Sequence, residues 1–219
     1  MIAGQKSRGT NGYDNALFPL AFMYMTQGEG NNSYSHNGTY AMDFAGYGVN
    51  GVMSNCPYYA PFDCTCVDIW GSTSPMIVWQ SNNPVNFVDG TIDYMCIGFV
   101  HDDSTPSFSI GDTRNQGDVI GHTGTYGIMT GDHVHIEVAK GQYAGYVENT
   151  YHIWQLNNEY HIYNALGINN TIIVKDYYVD QQGNTITYPW KMFGSTNIRY
   201  YKSKFPWVLY ARKLRNKRK

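Results

Sequence analysis

Short strand-like segments separated by turn residues recur through the first two thirds of the chain, and this pattern limits the fold more than any other feature. No ten-residue window between positions 16 and 140 shows clean helical periodicity. Tyr (20 residues) and Gly (23 residues) are abundant among the 219 residues, and this composition favours strands and turns over helical bundles. We therefore predict a mainly β fold with strands at 39–45, 64–70, 75–80, 92–100, 119–121 and 133–139.

Composition and pattern divide the chain into three parts. Residues 1–15 are polar and rich in Gly and Asn, which predicts an irregular leader. Residues 16–145 carry the strand-like segments and are predicted to form the main domain, entered by an apolar core segment at 16–25. Residues 146–219 are predicted to be an extension packed on that domain. Further predictions are a hairpin-like connection at 81–91, a long rim loop at 102–116, a helical or extended segment at 151–166, a strand at 172–174 and a turn at 181–184.

Two histidines stand two residues apart in the last predicted strand of the main domain. Because side chains i and i+2 share one face of a strand, His133 and His135 project together, with Val134 turned the other way. Upstream, His36 and Asp43 add another imidazole and a carboxylate. Two histidines, one aspartate and an open fourth position match the ligand count of a catalytic zinc. A lone His-x-His pair also occurs by chance on exposed strands. The flanking sequence therefore has to distinguish a metal site from two exposed histidines.

The flanking sequence resembles that of the lysostaphin-type, or LytM-domain, peptidoglycan endopeptidases over roughly positions 30 to 140. Three motifs follow the order of that family: Ser-His-x-Gly-x-Tyr-Ala-x-Asp-Phe at 35–44, Ile-Gly-Phe-Val-His at 97–101, and a Gly-rich turn at 119–127 followed by Thr-Gly-x-His-x-His-x-Glu-Val at 130–138. His36 and Asp43 are seven residues apart, which fits a longer-spaced subtype rather than the commonest, shorter spacing. Asp132 stands where Pro or Asn is more usual.

The resemblance implies a fold and a role for each motif residue. The implied fold is an antiparallel β-sheet sandwich with long loops that rim a narrow cleft. One zinc ion per chain would be held by His36, Asp43 and His135. His101 and His133 would be the catalytic acid–base pair beside the metal.

Three more residues are candidates for substrate binding. His122 follows a glycine in the Gly-rich turn and is predicted to line the groove. Tyr34 and Tyr126 belong to a set of tyrosines near the motifs that could shape a cleft for sugar and peptide. Tyr34 is also a candidate hydrogen-bond donor to a tetrahedral intermediate, although a tyrosine is more often a packing residue.

The function that the resemblance implies is zinc-dependent hydrolysis of peptide bonds in bacterial peptidoglycan, in the stem peptide or the cross-bridge. One alternative is a non-catalytic wall-binding or activator module on the same fold. Such modules lose metal ligands or the flanking bases, whereas all five positions are filled here. A cupin-type metal protein is the other alternative, but Glu137 is only two residues beyond His135, which does not fit cupin spacing.

The end of the sequence differs in charge from the rest. Six basic residues fall within the last eight positions, 212–219, and without them nine basic residues remain against 17 acidic ones. Such a run is either a solvated tail or a tether to anionic wall polymers such as teichoic acids. No aromatic residues are spaced through 212–219, so a nucleic-acid partner is not expected.

No stretch of about 20 apolar residues is present that could span a membrane. The apolar segment at 16–25 is interrupted by Pro19 and lacks a cleavage pattern, so no signal peptide is evident. The expected place of action is the bacterial cell wall, as a phage lysin, a virion component or an exported autolysin. The four cysteines are predicted to be buried free thiols, because their spacings do not match paired zinc ligands.

Overall fold

The computed structural model describes residues 1–30, 32–102, 108–127, 129–194 and 197–201. Within these ranges it contains one short helix, α1 (Ile162–Ala165), and nineteen strands. The strands are β1 (Phe22–Gln27), β2 (Met42–Phe44), β3 (Tyr47–Gly48), β4 (Gly51–Val52), β5 (Pro57–Tyr59), β6 (Cys64–Trp70), β7 (Met76–Ser81), β8 (Val85–Asn86), β9 (Ile92–Asp93), β10 (Met95–Val100), β11 (Thr113–Arg114), β12 (Val119–His122), β13 (Val134–Lys140), β14 (Tyr146–Glu148), β15 (Trp154–Leu156), β16 (Ile172–Lys175), β17 (Tyr177–Val179), β18 (Thr185–Thr187) and β19 (Arg199–Tyr200).

One nine-stranded sheet organises the molecule. Its strand order is β11-β6-β7-β10-β13-β2-β1-β16-β19. Neighbouring strands from β11 to β1 pair antiparallel, whereas β16 pairs in parallel with β1 and with β19. The described part of the chain also contains five two-stranded pairs: β3–β4, β5–β12, β8–β9, β14–β15 and β17–β18. The predicted fold class, mainly β with a large antiparallel sheet, is confirmed.

The predicted strands are present, four of them within one residue of their predicted limits, and the other two differ further. The segments 64–70, 75–80, 119–121 and 133–139 correspond to β6, β7, β12 and β13. The segment 39–45 is shortened to β2, because the Thr39 hydroxyl accepts a backbone N–H two residues on, at 3.2 Å, and so competes with the strand ladder. The segment 92–100 is divided into β9 and β10, because the Asp93 carboxylate accepts the next backbone N–H.

The centre of the sheet buries apolar side chains on both faces. β10 is buried along its whole length, since the main hydrophobic cluster covers one face and a smaller cluster covers the other. In β13, Val134 and Ile136 are fully buried in the main cluster. His135 and Glu137 project from the opposite face, as the two-residue period of a strand predicts.

Described residues of both end regions contact the main sheet or its core. Residues 1–15 form no helix or strand, and the segment 16–25 is largely buried and leads into β1. β16 and β19 lie next to β1 in the sheet, although they belong to the region after 146. The strand at 172–174 and the turn at 181–184 are confirmed, and 151–166 contains both β15 and α1. The domain limits at positions 15 and 145 stay a prediction.

Some predictions fall partly outside the described residues. The rim loop 102–116 includes positions 103–107, which are not described, and its later part forms β11 against β6. The basic run 212–219 also lies outside the described residues. In the ranges that are described, the helix α1 is too short to cross a membrane.

The four cysteines are free and buried, as predicted. Burial raises the pKa of Cys66 to about 11 and that of Cys96 to about 12. These side chains are therefore neutral thiols at physiological pH and act as small apolar residues of the core.

Candidate metal centre and cleft

Two neighbouring strands and the loop before one of them bring the predicted metal ligands together. In the β2–β13 pair, Asp43 lies directly opposite His135. Because Met42 and Phe44 on either side of Asp43 are buried in the main cluster, the alternation of β2 turns the carboxylate to the other face, where His135 projects. His36, on the loop before β2, completes the group.

The donor atoms of His36, Asp43 and His135 all lie within 4.8 Å of one another. Asp43 Oδ1 is 3.3 Å from His36 Nε2 and 3.0 Å from His135 Nδ1. Two imidazole nitrogens and one carboxylate oxygen form a donor set that suits zinc and leaves room for a fourth ligand. The residues present therefore fit the metal that the sequence motifs imply.

The remaining ring nitrogens of the two candidate histidine ligands are held by fixed acceptors. His36 Nδ1 donates to the carbonyl oxygen of Gly28 at 3.1 Å, and His135 Nε2 lies 3.3 Å from Glu137 Oε1. A carbonyl oxygen only accepts, so Nδ1 of His36 carries an N–H and Nε2 is the ring nitrogen that faces Asp43. Such partners orient metal-binding histidines and fix which nitrogen binds the metal.

The electrostatics of this group favour a bound positive charge. Burial alone would raise the pKa of the Asp43 carboxyl, but the charge on His36 and the hydrogen bonds from His135 and His36 outweigh burial and lower it. Burial alone would lower the pKa of His135, but hydrogen bonds to Asp43 and Glu137 outweigh burial and raise it. Two buried carboxylates around one imidazole therefore stabilise a cation at this point, and a divalent metal would supply it.

The two predicted acid–base histidines lie beside the candidate ligands. The ring centroids of His101 and His133 are 4.6 Å apart, and His133 Nε2 lies 3.7 Å from Asp43 Oδ2. His133 Nδ1 donates to the Gly131 carbonyl oxygen at 2.8 Å, and His101 Nδ1 donates to the Tyr126 carbonyl oxygen at 2.9 Å. Each ring therefore has its proton on Nδ1, which leaves the Nε2 lone pair free to accept a proton.

His101 is held in a strained position. Its backbone has φ = 79°, in the left-handed region that is unfavourable for residues other than glycine. Ser74 Oγ lies 3.2 Å from His101 Nδ1, and Gly127 packs so closely on Ser74 that a side chain there would collide with it. Burial lowers the pKa of His101 to about 4, and the neighbouring His133 adds to the shift. The ring is therefore neutral near pH 7, the form that a general base needs.

A cavity of about 820 Å³ opens over these residues. Its lining includes all five residues predicted as ligands or acid–base groups, so the structure brings them to one cleft. Of the three residues predicted to bind substrate, Tyr34 lines the cavity with an exposed side chain, whereas His122 and Tyr126 are not among the described lining residues. Their roles in substrate binding stay a prediction.

Three carboxylates lie close to predicted site histidines in the sequence, Glu137, Asp102 and Asp132, and the structure distinguishes them. Glu137 contacts His135, and its other oxygen accepts the Leu156 N–H at 2.7 Å. Asp102 instead accepts the His122 N–H at 2.5 Å, and Asp132 accepts the Asn55 N–H at 3.1 Å. Glu137 is therefore the residue that holds a candidate ligand in place.

The cleft also contains residues that the sequence motifs did not indicate. Ser74, Trp70 and Trp154 line it, and all three lie outside the motifs. Trp154 belongs to β15, more than 15 residues beyond the last motif. No local pattern marks these residues, because their place in the cleft depends on how β6 and the β14–β15 hairpin pack.

Comparison with known proteins gives a phage relative for most of the chain. Morphogenesis protein 1 of Bacillus phage B103 is 37% identical over 186 residues, which cover 84% of this chain and 46% of the relative. The chain thus spans about half the length of that curated relative. No family model matches the sequence.

Among solved structures, the similar chains include peptidases. A zinc-containing peptidase from Vibrio cholerae is 20% identical and has a TM-score of 0.40, with 61% of this chain and 42% of that chain covered. The catalytic domain of the antimicrobial peptidase lysostaphin from Staphylococcus simulans is 20% identical and has a TM-score of 0.39, with 54% and 80% covered.

Proposed function

We propose that this chain is a zinc-dependent endopeptidase that hydrolyses peptide bonds in bacterial peptidoglycan. The observation that carries the proposal is the donor set of His36, Asp43 and His135, with two further histidines beside it in one open cleft. All five residues stand at the positions that the lysostaphin-type motifs assign to them. A non-catalytic module would not require His101 and His133 to keep free Nε2 atoms toward the same cleft.

Each residue of the site has a distinct task in this proposal. His36 Nε2, one Asp43 oxygen and His135 Nδ1 would hold one zinc ion per chain. When bound, zinc activates water near neutral pH and polarises a carbonyl oxygen. Glu137 keeps His135 oriented, because one carboxylate oxygen contacts the ring and the other is fixed by a buried backbone N–H.

His101 and His133 would carry the proton transfers. Each ring has its N–H on Nδ1, so the Nε2 of one of them takes the proton of the attacking water. The protonated ring then delivers a proton to the departing amine nitrogen, which completes the cleavage of the peptide bond. The Asp43 carboxylate, 3.7 Å from His133 Nε2, stabilises the imidazolium that forms between these steps. Tyr34 is the candidate donor to the tetrahedral intermediate.

The biological setting that we propose is a phage particle or phage lysis product acting at the host cell wall. The similarity to a phage morphogenesis protein supports this setting over an exported bacterial autolysin. The basic run at 212–219 would add attraction to anionic wall polymers, because the rest of the sequence is acidic.

Metal analysis combined with a wall-clearing assay tests the proposal. The purified chain should bind one zinc, and the zinc-loaded protein should clear a suspension of Gram-positive cell walls until a chelator is added. His135→Ala should lose metal and clearing together, whereas His152→Ala, whose side chain is exposed and is not among the described residues that line the cleft, should keep both. Tight zinc binding by His135→Ala would contradict the ligand set, and bound zinc without any clearing would indicate a non-catalytic module.

A further inference from the structure

Two exposed tryptophans share the cleft with the metal centre. Trp70 is the last residue of β6 and Trp154 is the first residue of β15, and both line the cavity that contains His135. Their side chains are 40% and 50% exposed. Large aromatic side chains that are exposed to solvent next to a reactive group are typical of a binding surface.

The orientation of Trp70 is fixed by a layer of aromatic residues. The Tyr146 ring stacks on Trp70 with centroids 4.4 Å apart and an interplanar angle of 26°. Tyr143 packs edge-on against Tyr146 at 6.1 Å, and its hydroxyl donates to Asp68 on β6. Trp154 lies 5.9 Å from Trp70 at 47°. The two indoles therefore form a preorganised, angled surface, which we call the tryptophan platform.

The tryptophan platform is anchored to the metal centre through Glu137. Trp154 pairs with Glu148 across the β14–β15 hairpin, and Leu156 at the other end of β15 is buried in the smaller hydrophobic cluster. The Leu156 N–H donates to Glu137, the same carboxylate that contacts His135. The distance between the tryptophan platform and the metal centre is therefore fixed by β6 and by the hydrogen bond from β15 to Glu137 on β13.

We propose that the tryptophan platform is a subsite for a pyranose ring of the glycan strand of peptidoglycan. This inference rests on the proposed function for the identity of the polymer. A pyranose ring presents a flat face of C–H groups that fits an aromatic ring, whereas wall peptides consist of small and charged residues with no comparable face. In this arrangement the sugar ring stacks on the indoles, and the peptide attached to the sugar lies at the metal centre.

Binding of peptide-free glycan strands, prepared by amidase digestion of walls, tests the subsite without any hydrolysis. Calorimetric titration of the full chain should show binding, and Trp70→Ala and Trp154→Ala should each weaken it about tenfold. The matched control is Tyr13→Ala, which removes a 37% exposed aromatic side chain that is not among the described residues lining the cleft. Thermal unfolding of each variant confirms that it is folded.

The outcomes separate this inference from the proposed function. His135→Ala should bind glycan like the wild type, because the sugar does not contact the metal. On substrates, the tryptophan variants should raise KM for a glycan-bearing muropeptide by a larger factor than KM for the same peptide without sugar. No glycan binding by the wild type, or equal binding by the tryptophan variants and the control, would overturn the subsite. Glycan binding without hydrolysis of any wall substrate would overturn the proposed function alone.

Discussion

Replacement of Glu137 by glutamine tests how the candidate metal centre is held together. The Glu137 carboxylate is buried and faces two hydrogen-bond donors, the His135 ring at 3.3 Å and the Leu156 N–H at 2.7 Å. A carboxylate accepts from both. A glutamine side chain has only one oxygen, and its NH₂ group would face the other donor.

The size of the effect follows from this conflict. If the glutamine oxygen stays with Leu156, then His135 loses its acceptor, and loss of such a partner typically weakens metal binding about 10–100-fold. If the oxygen turns to His135, then a buried N–H is left without an acceptor, which costs about 1–3 kcal/mol. Glu137→Gln should therefore lower zinc affinity, the free energy of unfolding, or both within these ranges.

The assay is competition for zinc with a chelator of known affinity, together with chemical unfolding of the metal-free protein. Glu148→Gln is the matched control, because the Glu148 side chain is 43% exposed on β14 and its ion pair is with the exposed His152. Zinc affinity and stability both equal to those of the wild type would refute the reasoning that Glu137 positions His135.

Three further predictions concern catalysis, pH and the basic run. His101→Ala and His133→Ala should keep the metal and lose activity by about 10²–10⁴-fold. Metal content and the rate of peptide hydrolysis measure the two effects. Near-normal rates in both variants would show that other residues carry the acid–base role. Burial, together with the charge of Glu137, raises the pKa of Glu159 from 4.5 to about 8. The folded metal-free protein then binds a proton that the unfolded chain releases, so stability should fall between pH 4.5 and 8, and Glu159→Gln should flatten this fall in unfolding experiments. Deletion of 212–219 should leave hydrolysis of a small peptide unchanged and should weaken wall binding. The loss should be largest at low salt, because the Debye length there is about 30 Å, compared with about 8 Å at physiological salt. Equal wall binding by the full-length and truncated proteins at low salt would show that the basic run does not contribute to binding.

The sequence predicted which side chains of β2 and β13 share a face, because this depends on the short period of a strand. In β13, the alternation of Val134 and Ile136 with His135 determines which side chains enter the core. The same alternation on β2 turns Asp43 to the opposite face from its apolar neighbours. Local pattern therefore defined both faces without knowledge of the rest of the fold.

Features that depend on distant packing could not be predicted. The second partner of Glu137 is a backbone N–H of β15, nearly twenty residues away, and no motif links the two. Trp70 and Trp154 come from separate elements and meet only because β14–β15 folds against β6. Likewise, β16 pairs with β1 across about 150 residues of sequence, so the contribution of the region after 146 to the main sheet depends on tertiary contacts.

The pairing of strands also explains where predicted limits were inaccurate. Thr39 and Asp93 each bond through the side chain to a nearby backbone N–H, which takes that group out of the strand ladder. Such competition is short-ranged, but its outcome depends on whether a partner strand is available at the same position. The class of each element was therefore predictable, whereas its ends were not.

Mass analysis of wall fragments tests the central claim most directly. Purified peptidoglycan is digested with the zinc-loaded chain, with and without chelator, and the soluble muropeptides are compared. The expected fragments differ from the undigested set by one added water at a peptide bond, and their glycan linkages are intact. These fragments should be absent when chelator is present and when the His135→Ala variant is used. Fragments cut only between sugars, or the same peptide cleavage by the His135→Ala variant, would contradict this claim.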